Sequence, residues 1–455
     1  MMKSSCMATL IWAAAVNLAG GADPVLFRGC DLQMLEMGNQ SVLRSSGTDE
    51  QYIASHALVG DKNGLYFNDD RTIAEVKSTW MGTAPVSLAK RSLMQYRADL
   101  EAFRREYGGA REMPDIRFFQ FGMGSRAKYL FKKGVLTRAP NGPVIRHWDT
   151  KESTILPPDY SVTMTTMDGR QIRIVEDEDA VWIEEDGQRS VVPGTQARVC
   201  LPSFAGHQHA SILRVLHHEI LINVIDGLPV PNFYVYKKPW YRDGAMMAMC
   251  LKRTGNLAVI RDWILGLREP YDRNNAGETE ADNLGQGLYL VSLVSDKKHP
   301  LVPTILRELP SFEVKDQQGL YLKGRSDFAD HPVYQTKWAK YGLRALGLED
   351  PYTIPAVADS YSSLFWMDFR DQHAAGTKVT DHGFYPYLGW ATDHFLGQKL
   401  SPISNRDYPL TWEIQASQAD YAGMAIIDPI FVERKTSSPH TWHAAEVFLY
   451  LLEER

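Results

Sequence analysis

Cysteine is scarce: the 455-residue chain has four, at Cys6, Cys30, Cys200 and Cys250. Their wide, irregular spacing excludes a disulfide framework or a zinc motif and leaves buried free thiols as the reading. Blocks of basic residues are missing too. Lys and Arg number 49 against 55 Asp and Glu, a formal net charge of −6, and without clustered cations nucleic-acid binding is excluded as the main function. No apolar run approaches the roughly 20 residues of a membrane span. No Gly-x-Ser-x-Gly nucleophile elbow occurs. Gly122-Met123-Gly124 is followed by Ser125-Arg126, so it is no phosphate loop. His217-His218-Glu219 lacks the second metalloprotease histidine, because Ile222 stands there. Together with Gly206-His207-Gln208-His209, these histidines read as capping and surface groups, with neither metal nor cofactor implied.

What is present describes a folded chain. Hydrophobic residues make up 44% and charged residues 23%, enough to bury a large core in two or three domains. Aromatics reach 11%, with 11 Trp and 21 Tyr, and such rings suit a sugar-binding surface. Lys3, an apolar run over residues 7–16 and small residues at 19–22 have the order of a secretory signal peptide. The mature protein is therefore expected to be secreted or periplasmic. Its oligomeric state is not legible.

Three segments follow: the signal peptide 1–22, a mixed α+β region 23–200, and a helical catalytic domain 201–455. In the second, residues 87–107 read as a helix stopped by Gly108-Gly109. Alternating runs at 161–166, 171–175 and 180–184, separated by Asp168-Gly169 and Asp186-Gly187, place β hairpins within 159–192. Beyond Cys200, Ile212, Leu216 and Ile220 keep a helical spacing, and Asp243 can cap a helix that ends at Gly255. Further helices are expected at 282–295, 299–309, 335–346, 361–373, 387–397, 413–427 and 440–454. Short links between them predict antiparallel helical hairpins closed into a ring, a mainly α architecture.

Trp, Tyr, Asp, Glu, Asn and Arg crowd the apparent connections at 236–243, 269–282, 381–389 and 404–413. Loops on one rim of a rigid scaffold are where binding and catalytic groups collect. In Pro239-Trp240-Tyr241-Arg242-Asp243, the charged pair can hold sugar hydroxyls while Trp240 or Tyr241 stacks beneath; an N-cap with a local ion pair fits equally. Glu278, Glu280 and Asp282 crowd one helix start. Mutual repulsion there raises a carboxyl pKa, against the helix dipole. Glu280 is the candidate proton donor and Asp282 the reserve, the competing reading being a cap with solvated neighbours. Glu413 beside Trp412 is the candidate base, or else a capping Glu. Asp381 can replace it, and Tyr385, Tyr387, Trp390 and His394 form either a carbohydrate platform or part of the core.

Trp-Tyr-Arg-Asp-Gly-Ala at 240–245 resembles the Trp-x-Arg-Asp element of glucoamylase-like glycosidases, whose fold is a six-hairpin α/α toroid. Pro439-His440-Thr441-Trp442-His443-Ala444-Ala445-Glu446 is similar to the element that begins their last toroid helix. The resemblance covers roughly residues 200–455. It implies that Arg242 and Asp243 bind the sugar next to the cleaved bond, and that the second carboxylate comes from a late hairpin, where Glu413 lies. Trp-Glu-Ile-Gln-Ala-Ser is not the family's base motif. Inversion is implied, with carboxyl groups roughly 6.5–9.5 Å apart; a separation near 5 Å signals retention.

The expected function is a glycoside hydrolase acting on an oligosaccharide or polysaccharide by paired carboxylates. Two alternatives stand beside it. One is a polysaccharide lyase on the same toroid, with Tyr385, Tyr387, His382 or His394 abstracting a proton and Arg242 neutralising a uronate. The other is a non-catalytic glycan-binding protein.

Overall fold

The computed structural model describes residues 117–357 apart from 237, 274–276 and 328, then Tyr361 and residues 419–453 apart from 426 and 435. It also describes the strands at 24–26, 32–37, 40–45, 57–61, 64–68 and 412–414 and the helix 84–107. Strands β1 (Pro24–Leu26), β4 (Ala57–Asp61) and β5 (Gly64–Asn68) form one small antiparallel sheet, and β2 (Leu32–Met37) pairs with β3 (Gln40–Ser45). Helix α1 (Ala84–Tyr107) follows and lies on the larger of two further sheets.

Those two sheets are antiparallel meanders. The first contains β6 (Phe118–Phe121), β7 (Tyr129–Lys132), β8 (Val135–Arg138) and β9 (Val144–His147). The second contains β10 (Thr150–Leu156), β11 (Ser161–Thr166), β12 (Gln171–Glu176), β13 (Val181–Glu185) and β14 (Gln188–Val191). At the β13–β14 turn, Asp186 and Gly187 both have positive φ, +50° and +74°, the backbone twist that closes a two-residue hairpin. The Glu176 carboxylate ties the sheets together, accepting bonds from Gly122 N (2.8 Å), Met123 N (2.6 Å) and Arg126 Nη1 (3.0 Å). Gly122 has φ +102°, and a Cβ there would stand 2.2 Å from Ala127 O. The Gly122-Met123-Gly124 loop thus serves the packing of the sheets.

Helices dominate beyond residue 209. After α2 (Ala210–Ile222) and the small hairpin β15 (Val224–Ile225) and β16 (Leu228–Pro229) come α3 (Tyr241–Arg253), α4 (Arg261–Leu265), α5 (Asp282–Val294) and α6 (Leu301–Glu308). Two hairpins, β17 (Glu313–Asp316) with β18 (Gly319–Leu322) and β19 (Arg325–Ser326) with β20 (Ala329–Asp330), lead into α7 (Pro332–Ala345). Strand β21 (Trp412–Ile414) pairs with β22 (Thr436–Pro439); α8 (Tyr421–Met424) and α9 (Ile430–Arg434) lie between them, and α10 (Thr441–Glu453) follows. Helix α2 packs on α10, α10 on α3, α3 on α5, and α5 on α6 and α7. One apolar core joins the strands to these helices, from Phe121, Val162 and Ile174 to Leu216, Met246, Leu288, Trp338 and Phe448.

The expectation of a mainly α ring is corrected by this architecture. Sheets of four and five strands make the fold mixed α and β. Residues 118–147 escaped the strand reading because Phe-Phe-Gln-Phe and Tyr-Leu-Phe-Lys are buried on both faces and do not alternate. The helix expected at 413–427 is also overturned: Trp412-Glu413-Ile414 is a strand, in keeping with its aromatic and β-branched residues. The helix that follows begins only after Asp420, whose carboxylate caps Gly423 N. Of the helices expected at 361–373 and 387–397, only Tyr361 lies within the described residues.

Helices α5 and α7 meet backbone to backbone. A Cβ on Gly285 would lie 2.2 Å from the Trp338 carbonyl carbon, and one on Gly342 2.4 Å from Gly285 O. Neither neighbour is a flexible side-chain end. Gly285→Ala is therefore expected to lower the unfolding free energy by about 3 kcal/mol or to prevent folding, read by urea denaturation; a loss below about 0.5 kcal/mol would contradict this packing.

Candidate functional site

The site is built on the first turn of α3. Its cap comes from a distance: Asp272 Oδ2 accepts the Tyr241 N–H at 2.5 Å, so Asp243, expected to cap this helix, stands inside it with its side chain buried. Trp240 packs against Tyr236 at 4.5 Å between centroids, and Tyr241 edge-on against Trp263 at 6.3 Å. Both rings are buried in packing, with 9% and 5% exposure.

Arg242 is the centre. A guanidinium has five N–H donors, and all are used. Nε and Nη2 bond Asp282 Oδ2 at 3.2 and 3.1 Å, Nη2 reaches Glu280 Oε2 at 3.4 Å, and Nη1 bonds Asp327 Oδ2 at 2.7 Å and Tyr361 Oη at 3.0 Å. The rings of Tyr361 and Trp442 lie 5.2 and 5.3 Å from its Cζ, adding cation–π attraction to a desolvated charge.

Three carboxylates share this cation in different environments. Asp282, the first residue of α5, is sealed: Oδ2 also accepts Gln286 Nε2 at 2.7 Å, and Oδ1 accepts Ser326 Oγ at 2.5 Å. Both of its oxygens are bonded, which makes it an anchor for Arg242. Glu280 is 4% exposed at its side chain. Burial pushes its carboxyl well above the ordinary range, and the neighbouring Asp282 and Asp327 push the same way against Arg242. Its Oε1 accepts the Asp327 N–H. Asp327 behaves oppositely. Partial burial raises its pKa, but the Arg242 charge and the Tyr361 hydroxyl outweigh that and hold it below the usual value.

Asp327 sits in the turn between β19 and β20 with φ +52°, a conformation rare for a residue with a side chain. Gln335 fixes that hairpin, donating to Ser326 Oγ (2.9 Å) and to Gly324 O while accepting Gly324 N (3.1 Å). His331 stacks on Tyr361 at 4.4 Å.

Asp243 lies on the other side. Its Oδ1 is 3.0 Å from Thr441 Oγ1 and 3.4 Å from His440 Nδ1. Burial raises the Asp243 carboxyl to about 7 and lowers His440 to about 3. Trp442 N–H donates to His440 Nδ1 at 3.3 Å. Asp272 is raised to about 6, again by burial first.

The structure therefore brings together Arg242, Asp243, Glu280 and Asp282 from the sequence reading. Glu413 and Trp412 lie on β21, described for its backbone only; Asp381, Tyr385, Tyr387, Trp390 and His394 lie outside the described residues. Asp327, Tyr361, Trp442 and His440 were missed as site residues. Asp327 carries no periodic signal, since it stands between two two-residue strands. His217 and His218, expected as capping or surface groups, are instead buried in the core. His217 bonds Thr254 Oγ1 (3.1 Å) and Asn256 Nδ2 (3.2 Å), while His218 bonds Gln120 O (2.8 Å) and stacks on Phe119. Among the described residues no group of three or more His, Cys, Asp or Glu has the arrangement to hold a metal ion. In comparisons with protein-family models, curated proteins and solved structures, nothing matches this chain.

Two outcomes test this electrostatic picture. Arg242→Met strands Asp282 and Asp327 without their cation and should cost about 3–5 kcal/mol of stability; a loss under about 1 kcal/mol would contradict the hub. The second concerns pH. A carboxyl whose folded-state pKa is raised favours folding most below the ordinary carboxylate range, and that contribution is lost as pH climbs through the folded value. Glu280→Gln removes such a group, so its stability relative to the parent should rise between about pH 5 and about pH 8. A difference that does not change with pH, by denaturation at both values, would contradict a raised Glu280.

Proposed function

We propose that the chain is a glycoside hydrolase in which Glu280 donates the proton to the leaving oxygen. The observation that supports this reading is the pairing of Glu280, held protonated by burial, with Asp327, held ionised by Arg242 and Tyr361, on one guanidinium. Two carboxyl groups driven apart in pKa by their surroundings are the arrangement that lets one act as acid and the other as anion at neutral pH. Glycosidic cleavage needs both, because a proton must reach the departing oxygen while positive charge builds on the sugar ring.

The two alternatives fit less well. A lyase acting here would need Arg242 to neutralise a uronate, but its five N–H groups are already engaged. No donor of that side chain is left for a substrate carboxylate. Simple glycan binding requires hydroxyl partners, not a carboxylic acid kept neutral beside an anion. The substrate class proposed is an oligosaccharide or polysaccharide without a requirement for uronate.

A panel of neutral and acidic glycans, assayed for reducing-sugar release and for unsaturated products absorbing in the ultraviolet, tests the reading. Hydrolysis is expected without ultraviolet-absorbing product. Glu280→Gln should lower kcat by about 10²–10⁴-fold with KM little changed, the usual contribution of a general acid; full activity in that variant would contradict the assignment.

A further inference from the structure

Resting on the hydrolase reading, we infer that Asp327 is the nucleophile of the reaction, so that cleavage proceeds through a covalent glycosyl–enzyme intermediate and retains anomeric configuration. The resemblance noted in the sequence implies the opposite, with inversion and Glu413 as base.

Three structural features point to Asp327. First, it is the most exposed carboxylate of the hub: its side chain is 27% exposed, against 4% for Glu280 and 0% for Asp282. Second, its two oxygens are differentiated. Arg242 Nη1 and Tyr361 Oη both bond Oδ2, and among the described residues no hydrogen bond ends on Oδ1. One oxygen is anchored and the other is left to meet a substrate. Third, it is bound closely to the proposed acid. Asp327 N–H donates to Glu280 Oε1, and both side chains hold the same guanidinium. Carboxyl groups in retaining enzymes stand close, roughly 5–5.5 Å, whereas inverting enzymes hold theirs wider to admit a water.

Cationic and hydroxyl partners on Oδ2 also decide which role Asp327 suits. They weaken it as a proton acceptor while keeping it charged, which favours attack on carbon over deprotonation of water. In the first step Asp327 Oδ1 attacks the anomeric carbon, the bond from that carbon to the leaving oxygen breaks, and Glu280 gives its proton to that oxygen. In the second step Glu280, now a carboxylate, takes a proton from water. The water oxygen forms a bond to the anomeric carbon as the ester bond to Oδ1 breaks. Glu280 ends protonated and Asp327 ionised, as they began.

The test uses the full chain and nitrophenyl glycosides of the common neutral hexoses and pentoses in both anomeric forms. Proton NMR of the first product released by the unaltered enzyme should show the substrate's own anomeric configuration. Asp327→Gly should lose at least 10³-fold in kcat and recover turnover with added azide, yielding a glycosyl azide of inverted configuration. Thermal melting of the variant and Asp327→Asn together shows whether the fold is kept, while the NMR result needs no variant. An inverted first product, or Asp327 variants that keep full activity, overturns the nucleophile and leaves the hydrolase reading standing. If the unaltered enzyme cleaves none of the nitrophenyl glycosides or glycans, the hydrolase reading falls and takes the nucleophile with it.

Discussion

One buried guanidinium organises the centre of this protein. Arg242 spends every N–H it has on Asp282, Glu280, Asp327 and Tyr361, with two aromatic faces against it. Desolvating such a cation is costly unless geometry and hydrogen bonding repay it. The surrounding structure is arranged accordingly: α5 delivers Asp282, the β19–β20 hairpin delivers Asp327 and Ser326, and α10 delivers Trp442. These elements are far apart in sequence, so the ion network also fixes how they meet. The glycine contact between α5 and α7 brings the helix bearing Asp282 close to the helix whose Gln335 holds the hairpin.

A single cation cannot neutralise every acid around it, and that shortage sets the protonation pattern. Asp282 and Asp327 take the direct bonds. Glu280 has a longer contact with the guanidinium, 3.4 Å, and Asp243 lies 3.4 Å from the His440 imidazole, whose pKa burial lowers to about 3. Burial then raises the two poorly served carboxyls. The same low-dielectric surroundings that strengthen the Arg242–Asp327 bond penalise a second anion next to it. Acid and anion are thus produced by one arrangement, without any group being tuned separately.

Local chemistry made single elements legible, not the architecture, which is mixed α and β where a mainly α ring was expected. The Asp168-Gly169 and Asp186-Gly187 signals mark the turns of the five-stranded sheet, and the spacing of Ile212, Leu216 and Ile220 marks α2. Glu280, Asp282, Arg242 and Asp243 stood out because two dense motifs begin two helices. What escaped depends on contacts that local rules do not contain. Strands β6 and β7, buried on both faces, show no alternation. The cap of α3 comes from Asp272, 31 residues onward in the chain. Asp327 gains its role only from meeting Arg242, 85 positions away. The crowding of Glu278, Glu280 and Asp282 in the sequence predicts mutual repulsion at one helix start. In the structure Glu278 pairs with Arg325 on the surface, while Glu280 is raised first by burial and then by repulsion from Asp282 and Asp327, against Arg242.

Everything proposed for the chemistry turns on a proton residing on Glu280 at neutral pH beside an ionised Asp327. Isotope-edited infrared difference spectroscopy reads this directly, since a protonated carboxyl has a carbonyl stretch well separated from that of a carboxylate. At about pH 7, the spectrum of the unaltered protein minus that of Glu280→Gln should contain a protonated-carboxyl band, and the corresponding difference with Asp327→Asn should contain carboxylate bands instead. Carboxylate bands alone in the Glu280 difference would show that residue ionised and contradict the proposed acid.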